Sequence, residues 1–102
     1  MKILNKLVRD RIPEIIEDSG KRAITHILSD EEYIAALETK LDEEVAEYKA
    51  AKNLEEMADV LEVLQAICVA RGYNLEELEE KRREKAEERG GFKDRIFLDY
   101  VQ

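Results

Sequence analysis

Five acidic residues stand in two short clusters whose spacing can do metal chemistry: Glu43, Glu44 and Glu47 in the first, and Glu56 and Asp59 in the second. Residues three apart lie next to each other on one helix face. Glu44 with Glu47, and Glu56 with Asp59, would therefore supply four hard oxygen donors, which suit Mg²⁺, with Mn²⁺ as an alternative. Because the chain has only one histidine and one cysteine, a typical zinc site is excluded.

The same spacing could arise by accident, because 25 of the 102 residues are acidic. The acids would then be an ordinary solvated surface. Position on the helix argues against this. At ~100° per residue, Glu44 lies about 20° from Leu37 and about 40° from Tyr48, so it borders an apolar stripe. Carboxylates at such positions are costly unless they are paired or bind a metal.

Glu56 has a competing structural role. It lies three residues after Asn53, which is the spacing of a capping box at a helix N-terminus. A Glu56 side chain that bonds back to the Asn53 backbone could not also serve the metal. The capping role and the metal role of Glu56 therefore compete.

Four helices must position these clusters, so we predict an all-α helical bundle in a single domain, residues 1–102. Capping residues, glycines and apolar repeats at three and four residues mark their ends. The predicted helices cover residues 13–19, 29–52, 53–72 and 74–91. Residues 21–28 and 95–101 alternate in polarity and could pair as a short β-ribbon.

The third helix has apolar residues on two faces. One face holds Leu54, Met57, Leu61, Leu64 and Cys68, and the other holds Val60, Val63 and Ile67. A helix that is apolar on two sides must be covered on two sides. We expect a homo-oligomer, a dimer or a higher assembly, in which a second copy covers the Val60, Val63 and Ile67 face. The single cysteine, Cys68, has apolar neighbours and is predicted to be a core residue.

The fourth helix carries a basic stripe. Leu75 and Leu78 begin a face that we expect to turn inward, and the face then becomes cationic. Its basic residues are Lys81, Arg82, Lys85 and Arg89. A solvated helix with mixed salt bridges is one interpretation. The other is a polyphosphate site, since like charges recur four residues apart and the opposite signs lie on different faces.

The net charge of −8 argues against binding to a nucleic acid polymer or an anionic membrane. The longest unbroken apolar run, residues 66–70, is far too short to cross a bilayer. We therefore expect a cytoplasmic protein. A phosphorylated ligand would need metal ions or a local basic patch.

The chain resembles the all-α MazG-like nucleotide pyrophosphohydrolases, a family that includes phosphoribosyl-ATP pyrophosphohydrolase of histidine biosynthesis. The family signature is EExxE followed by ExxD, and this chain has EEVAE at 43–47 and EMAD at 56–59. The opening NKLVRDRIP at 5–13 and the closing KAEERGGF at 85–92 are similar to the ends of small members. Only eight residues separate Glu47 from Glu56, fewer than is usual, so the turn between the two helices must be tight.

The resemblance implies Mg²⁺-dependent hydrolysis of a nucleoside triphosphate, or a similar nucleotide, between the α and β phosphates. It implies metal ligation by Glu44, Glu47, Glu56 and Asp59, with Glu43 and Glu44 as the catalytic carboxylates. The residues that would then contact the nucleotide are Asn5, Lys6, Arg9, Lys81, Arg82, Lys85 and Arg89. Two alternatives stay open: a non-enzymatic helical assembly module, and phosphoribosyl-ATP pyrophosphohydrolase itself.

Overall fold

Polar capping residues begin three of the four helices in the computed structural model, which describes residues 1–102. Ser29 Oγ accepts a hydrogen bond from Glu32 N at 3.2 Å, and Ser29 N donates to Glu32 Oε1 at 3.0 Å. Asn74 and Glu77 form the same reciprocal capping box. The helices are α1 (Ile12–Asp18), α2 (Asp30–Ala51), α3 (Leu54–Ala70) and α4 (Leu75–Arg89). The predicted all-α class is confirmed, and each predicted helix is present.

A two-residue turn, Lys52 and Asn53, joins α2 to α3. Lys52 adopts the left-handed conformation with φ 54°, and its N–H donates to the Tyr48 carbonyl at 2.6 Å, which ends α2. The Asn53 side chain then caps α3 by accepting a hydrogen bond from Glu56 N at 2.9 Å. The tight turn that the sequence predicted is therefore built from one left-handed residue and one capping residue.

Helices α2 and α3 pack side by side and form the centre of the fold. Leu37 on α2 and Val63 and Cys68 on α3 are the buried apolar residues. Cys68 Sγ donates to the Asn74 carbonyl at 3.4 Å, so this thiol lies in the core near the start of α4. The expectation that Cys68 is a core residue is confirmed.

The uncovered face of α3 is not the one that the sequence suggested. Val63 is only 8% exposed, and Val60 and Ile67 on the same face are partly buried. The other face remains open, with Leu54 78%, Met57 49%, Leu61 54% and Leu64 42% exposed. Helix α2 packs against α3, and the low exposure of Val63 indicates that this packing covers the valine face.

The predicted β-ribbon is wrong for this chain. Residues 21–28 and 95–101 form no strand. Arg95, the first residue of the second segment, has φ 60°, a left-handed conformation that does not fit a strand. Ile27 and Phe97 are 95% and 85% exposed, so these large apolar side chains gain little packing. A lone two-stranded ribbon is marginal in water without such support.

The single chain is extended. Its radius of gyration is 17.9 Å, whereas a compact domain of this length has about 13 Å. Helix α1 packs on no other helix, and α4 contacts only α3. Leu75 and Leu78 therefore stay 42% exposed, contrary to the expectation that they face inward. None of the helices is both long and apolar enough to span a membrane.

Candidate metal centre

Three of the predicted ligands converge between α2 and α3. Glu44, Glu56 and Asp59 each offer one carboxylate oxygen, and the three oxygens lie within 4.8 Å of one another. The antiparallel hairpin brings them together, because Glu44 lies in the second half of α2 and the other two lie in the first turns of α3. Three oxygen donors at this separation suit a hard divalent cation.

Glu44 is the one charged residue that the fold buries, with 7% exposure. Its Oε1 lies 3.2 Å from Lys40 Nζ, and Lys40 Nζ also donates to Glu43 Oε2 at 3.2 Å. Its second oxygen, Oε2, is buried and accepts no hydrogen bond. One oxygen of Glu44 is thus neutralised by Lys40, and the other is free to bind a ligand in the cluster.

Burial raises the pKa of the Glu44 carboxyl above its ordinary value. The hydrogen bond from Lys40 lowers this pKa, while the neighbouring Glu47 raises it further. Partial burial acts to lower the pKa of Lys40, but its hydrogen bonds to Glu44 and Glu43 outweigh burial and the pKa is raised. A cation near Glu44 Oε2 would favour the ionised carboxylate.

Glu56 is available to the cluster because its capping box is not closed. Its backbone N–H donates to Asn53, yet its carboxylate makes no bond back to the Asn53 backbone. The equivalent residues Glu32 and Glu77 do make that bond at the starts of α2 and α4. The Oε2 atom of Glu56 is instead buried without a hydrogen bond. The Glu56 carboxylate therefore does not close a capping box and lies in the cluster.

Asp59 has a partner from a distant part of the chain. Arg9 Nη2 donates to Asp59 Oδ1 at 2.7 Å. The two side chains are 56% and 37% exposed, so the pair lies at the surface of the cluster. Sequence analysis assigned Arg9, with Asn5 and Lys6, to a nucleotide; Asn5 and Lys6 are exposed and make no side-chain hydrogen bond.

Glu47 and Glu43 lie at the margin of the site. Glu47 is close enough to Glu44 to affect its pKa, but it is not among the three residues whose oxygens converge. The Glu43 side chain is 36% exposed and is held by Lys40. Glu43 therefore faces the solvent side of the cluster and Glu44 the interior.

The basic residues of α4 fall into two groups. Lys81 pairs with Glu84 at 3.0 Å, and Arg82 pairs with Glu79 at 2.6 Å, as in a salt-bridged surface helix. Lys85 and Arg89 are exposed and have no ion pair. No hydrogen bond or ion pair joins these four basic residues to the carboxylate cluster.

Lys40 was not predicted to belong to the site. The signal was present, because Lys40 precedes Glu43 by three residues and Glu44 by four, the spacings at which helical side chains meet. What the spacing did not reveal is that Lys40 would be only 16% exposed and would contact both carboxylates.

Comparison with known proteins gives one partial match. A protein of Mycolicibacterium smegmatis, described as uncharacterized, is 63% identical over 46 residues, which are 45% of this chain. Those residues are 47% of the relative, so the match covers about half of each protein. No protein-family model and no solved structure matches the chain.

Proposed function

We propose that this chain is a Mg²⁺-dependent nucleotide pyrophosphohydrolase of the cytoplasm that converts a nucleoside triphosphate, or a related nucleotide, to a monophosphate and pyrophosphate. The observation that carries the proposal is the buried Glu44 Oε2, which accepts no hydrogen bond and belongs to a carboxylate that converges with Glu56 and Asp59. Burying such a group without a partner is costly, and a divalent cation is the partner that three carboxylates prefer.

Glu44, Glu56 and Asp59 would hold Mg²⁺, or Mn²⁺, with Glu47 as a further ligand or support. The bound ion would polarise the α-phosphate and lower the pKa of the attacking water. Water adds to the α-phosphorus, and the bond from phosphorus to the oxygen that bridges the α and β phosphates breaks. Pyrophosphate leaves with that oxygen.

The other residues have roles that follow from their charge and place. Glu43, partly exposed beside Glu44, would orient the attacking water and take its proton. Lys85 and Arg89 have no ion pair, so their charges are free to neutralise pyrophosphate. Lys81 and Arg82 would support them after exchanging their glutamate partners. Asn5, Lys6 and Arg9 would contact the nucleotide from the N-terminal segment.

The proposal includes a homo-oligomer, with a dimer as the smallest form. The accessible surface of the chain is 9616 Å², whereas a compact monomer of this mass has about 6,000 Å². The excess is larger than the surface that many stable dimers bury. The open α3 face, defined by Leu54, Met57, Leu61 and Leu64, is the surface that a second copy would cover.

A non-enzymatic assembly module is the second candidate, and the same exposed apolar surface favours it. Phosphoribosyl-ATP pyrophosphohydrolase is the third. One assay separates all three: pyrophosphate release from a panel of nucleoside triphosphates and phosphoribosyl-ATP, with Mg²⁺ and with EDTA. We expect Mg²⁺-dependent release from at least one triphosphate, and loss of release in Glu44→Gln. Release from phosphoribosyl-ATP alone would favour the third candidate, and no release from any nucleotide would favour the module.

A further inference from the structure

The N-terminal segment, residues 1–11, meets the carboxylate cluster through Arg9. Two ion pairs in the chain join residues far apart in sequence: Arg9 with Asp59, and Arg71 with Glu38. The first connects the segment before α1 to α3, across 50 residues. Since α1 packs on no other helix, the Arg9 pair is the polar contact that holds this end of the chain against the α2–α3 hairpin.

Arg9 binds the carboxylate of a residue that a metal would need. Its guanidinium lies 2.7 Å from Asp59 Oδ1, and Asp59 is one of the three residues of the cluster. The guanidinium is thus a cation supplied by the chain itself, at the exposed edge of the site. Lys40 plays the corresponding part at the buried edge, where it contacts Glu44 Oε1.

The two internal cations differ in how firmly they are held. Lys40 is 16% exposed and contacts two carboxylates, whereas Arg9 is 56% exposed and contacts one. Exposed single ion pairs are weak because water screens them and two long side chains must be ordered. A divalent cation at the same carboxylate has twice the charge of the guanidinium and would repel it at short range. Arg9 is therefore the internal cation that can be displaced from its carboxylate.

We infer that Arg9 and the divalent cation compete for Asp59, so that cation binding releases the N-terminal segment from α3. This inference rests on the proposed metal site. The released guanidinium stays tethered beside the metal, where it can form charge-assisted hydrogen bonds with the phosphates of a bound nucleotide. The competition thus makes Arg9 a substrate-positioning residue only after the metal has bound. By linkage, the factor by which the Arg9–Asp59 pair weakens cation binding equals the factor by which a bound cation weakens the pair, so removing the pair must strengthen cation binding.

The test compares Mn²⁺ affinity, measured by electron paramagnetic resonance of the free ion, in wild type, Arg9→Gln and Arg11→Gln. Arg11 is a matched control, because it is exposed, lies two residues away and has no ion pair. Both variants lose one positive charge. We expect Arg9→Gln to bind Mn²⁺ about twofold to fivefold more tightly than Arg11→Gln, the range that an exposed ion pair corresponds to.

A second readout follows the segment itself. In wild type, heteronuclear NOE values of the backbone amides of residues 3–9 should fall when Mg²⁺ is added; in Arg9→Gln they should be low from the start. Equal Mn²⁺ affinities in the two variants, or NOE values that Mg²⁺ does not change, would overturn the competition while leaving the metal site intact. A wild type that binds no Mn²⁺ would overturn the metal site, and this inference with it.

Discussion

At the residue scale, the buried Glu44 is the feature that most needs an explanation. A carboxylate that is 7% exposed and has an oxygen without a hydrogen bond destabilises the fold unless another group compensates. Lys40 compensates one oxygen at 3.2 Å, and the proposed cation would compensate the other. The residue types and spacing predicted Glu44, Glu56 and Asp59 as a group. They did not predict the Arg9–Asp59 pair, whose residues are 50 positions apart. They also did not predict the partial burial of Lys40, although its spacing from Glu43 and Glu44 is helical.

Replacing Lys40 by methionine should destabilise the metal-free protein. Glu44 would lose its cation, so we expect the free energy of unfolding at pH 7 to fall by about 1–3 kcal/mol. Burial raises the pKa of Glu44 above the ordinary value of 4.5. A carboxyl group with a raised pKa contributes its full stabilisation at pH values below 4.5, and this stabilisation is lost as pH rises through the raised pKa. Without Lys40 this pKa rises further. The loss should therefore be small in acid and grow as pH increases above 4.5.

Denaturant unfolding of wild type, Lys40→Met and Lys40→Arg, at one protein concentration with EDTA and across pH 4–7, measures this effect. Lys40→Arg retains the charge and should stay close to wild type. A loss in Lys40→Met that is the same at every pH would mean that Lys40 acts through packing of its alkyl chain and not through Glu44.

At the scale of elements, local sequence signals determine where the helices begin, and packing determines which of their faces are buried. Caps at Ser29, Asn53 and Asn74 predicted the starts of α2, α3 and α4, because a capping bond needs only residues three apart. The covered face of α3 was assigned wrongly, since periodicity shows that a helix has two apolar faces but not which neighbour each one meets. The ribbon failed for the same reason, since alternation alone supplies no packing partner.

The left-handed turn residue gives a test of the hairpin that positions the cluster. Lys52 has φ 54°, a conformation that costs a non-glycine residue free energy and suits glycine. Lys52→Gly should raise the free energy of unfolding by roughly 0.5–1 kcal/mol, because relief of the left-handed conformation exceeds the extra conformational entropy that glycine loses. Lys49→Gly, one turn earlier inside α2, should lower it by about 1 kcal/mol. Thermal unfolding of the two variants measures both effects. An equal loss of stability in both would contradict the assigned turn.

Helix α4 gives a test of the proposed nucleotide-binding residues. Lys85→Ala and Arg89→Ala should weaken nucleotide binding by roughly 1.5–3 kcal/mol each, because each removes a charge-assisted contact, while Mg²⁺ affinity and thermal stability stay near wild type. Arg83→Ala, an exposed arginine of the same helix without an ion pair, is the control and should have little effect. Calorimetric titration with a non-hydrolysable nucleotide measures all three. Equal affinity in every variant would mean that α4 is only a salt-bridged surface helix.

At the scale of the whole molecule, the chain exposes more surface than a compact monomer of its mass. Only four residues are buried, and the radius of gyration is 17.9 Å. Composition predicted that the chain has enough apolar residues for a core. It could not predict that one chain would leave α1 without a helix to pack on and one face of α3 open. These features are what a helical assembly of several chains would need.

The open α3 face should be an interface between copies. Leu61 is 54% exposed at the middle of this face, so Leu61→Glu places a charge where we expect the second copy to pack. Sedimentation velocity at micromolar concentrations should show an oligomer for wild type and a shift toward monomer for the variant. A strictly monomeric wild type would contradict the proposed oligomer, and an unchanged oligomer in Leu61→Glu would move the interface elsewhere.

The most direct test of the metal centre is the Mg²⁺-dependent thermal shift of wild type, Asp59→Asn and Asp42→Asn. Asp42 is an exposed acid of α2 without an ion pair, so the control makes the same change of charge away from the cluster. Asp59→Asn removes one repelling charge and one exposed pair with Arg9, so the melting temperature without metal should change little. Only a state that binds the ion is stabilised by it. We predict that Mg²⁺ raises the melting temperature of wild type and Asp42→Asn but not of Asp59→Asn; an equal rise in all three would contradict the carboxylate centre.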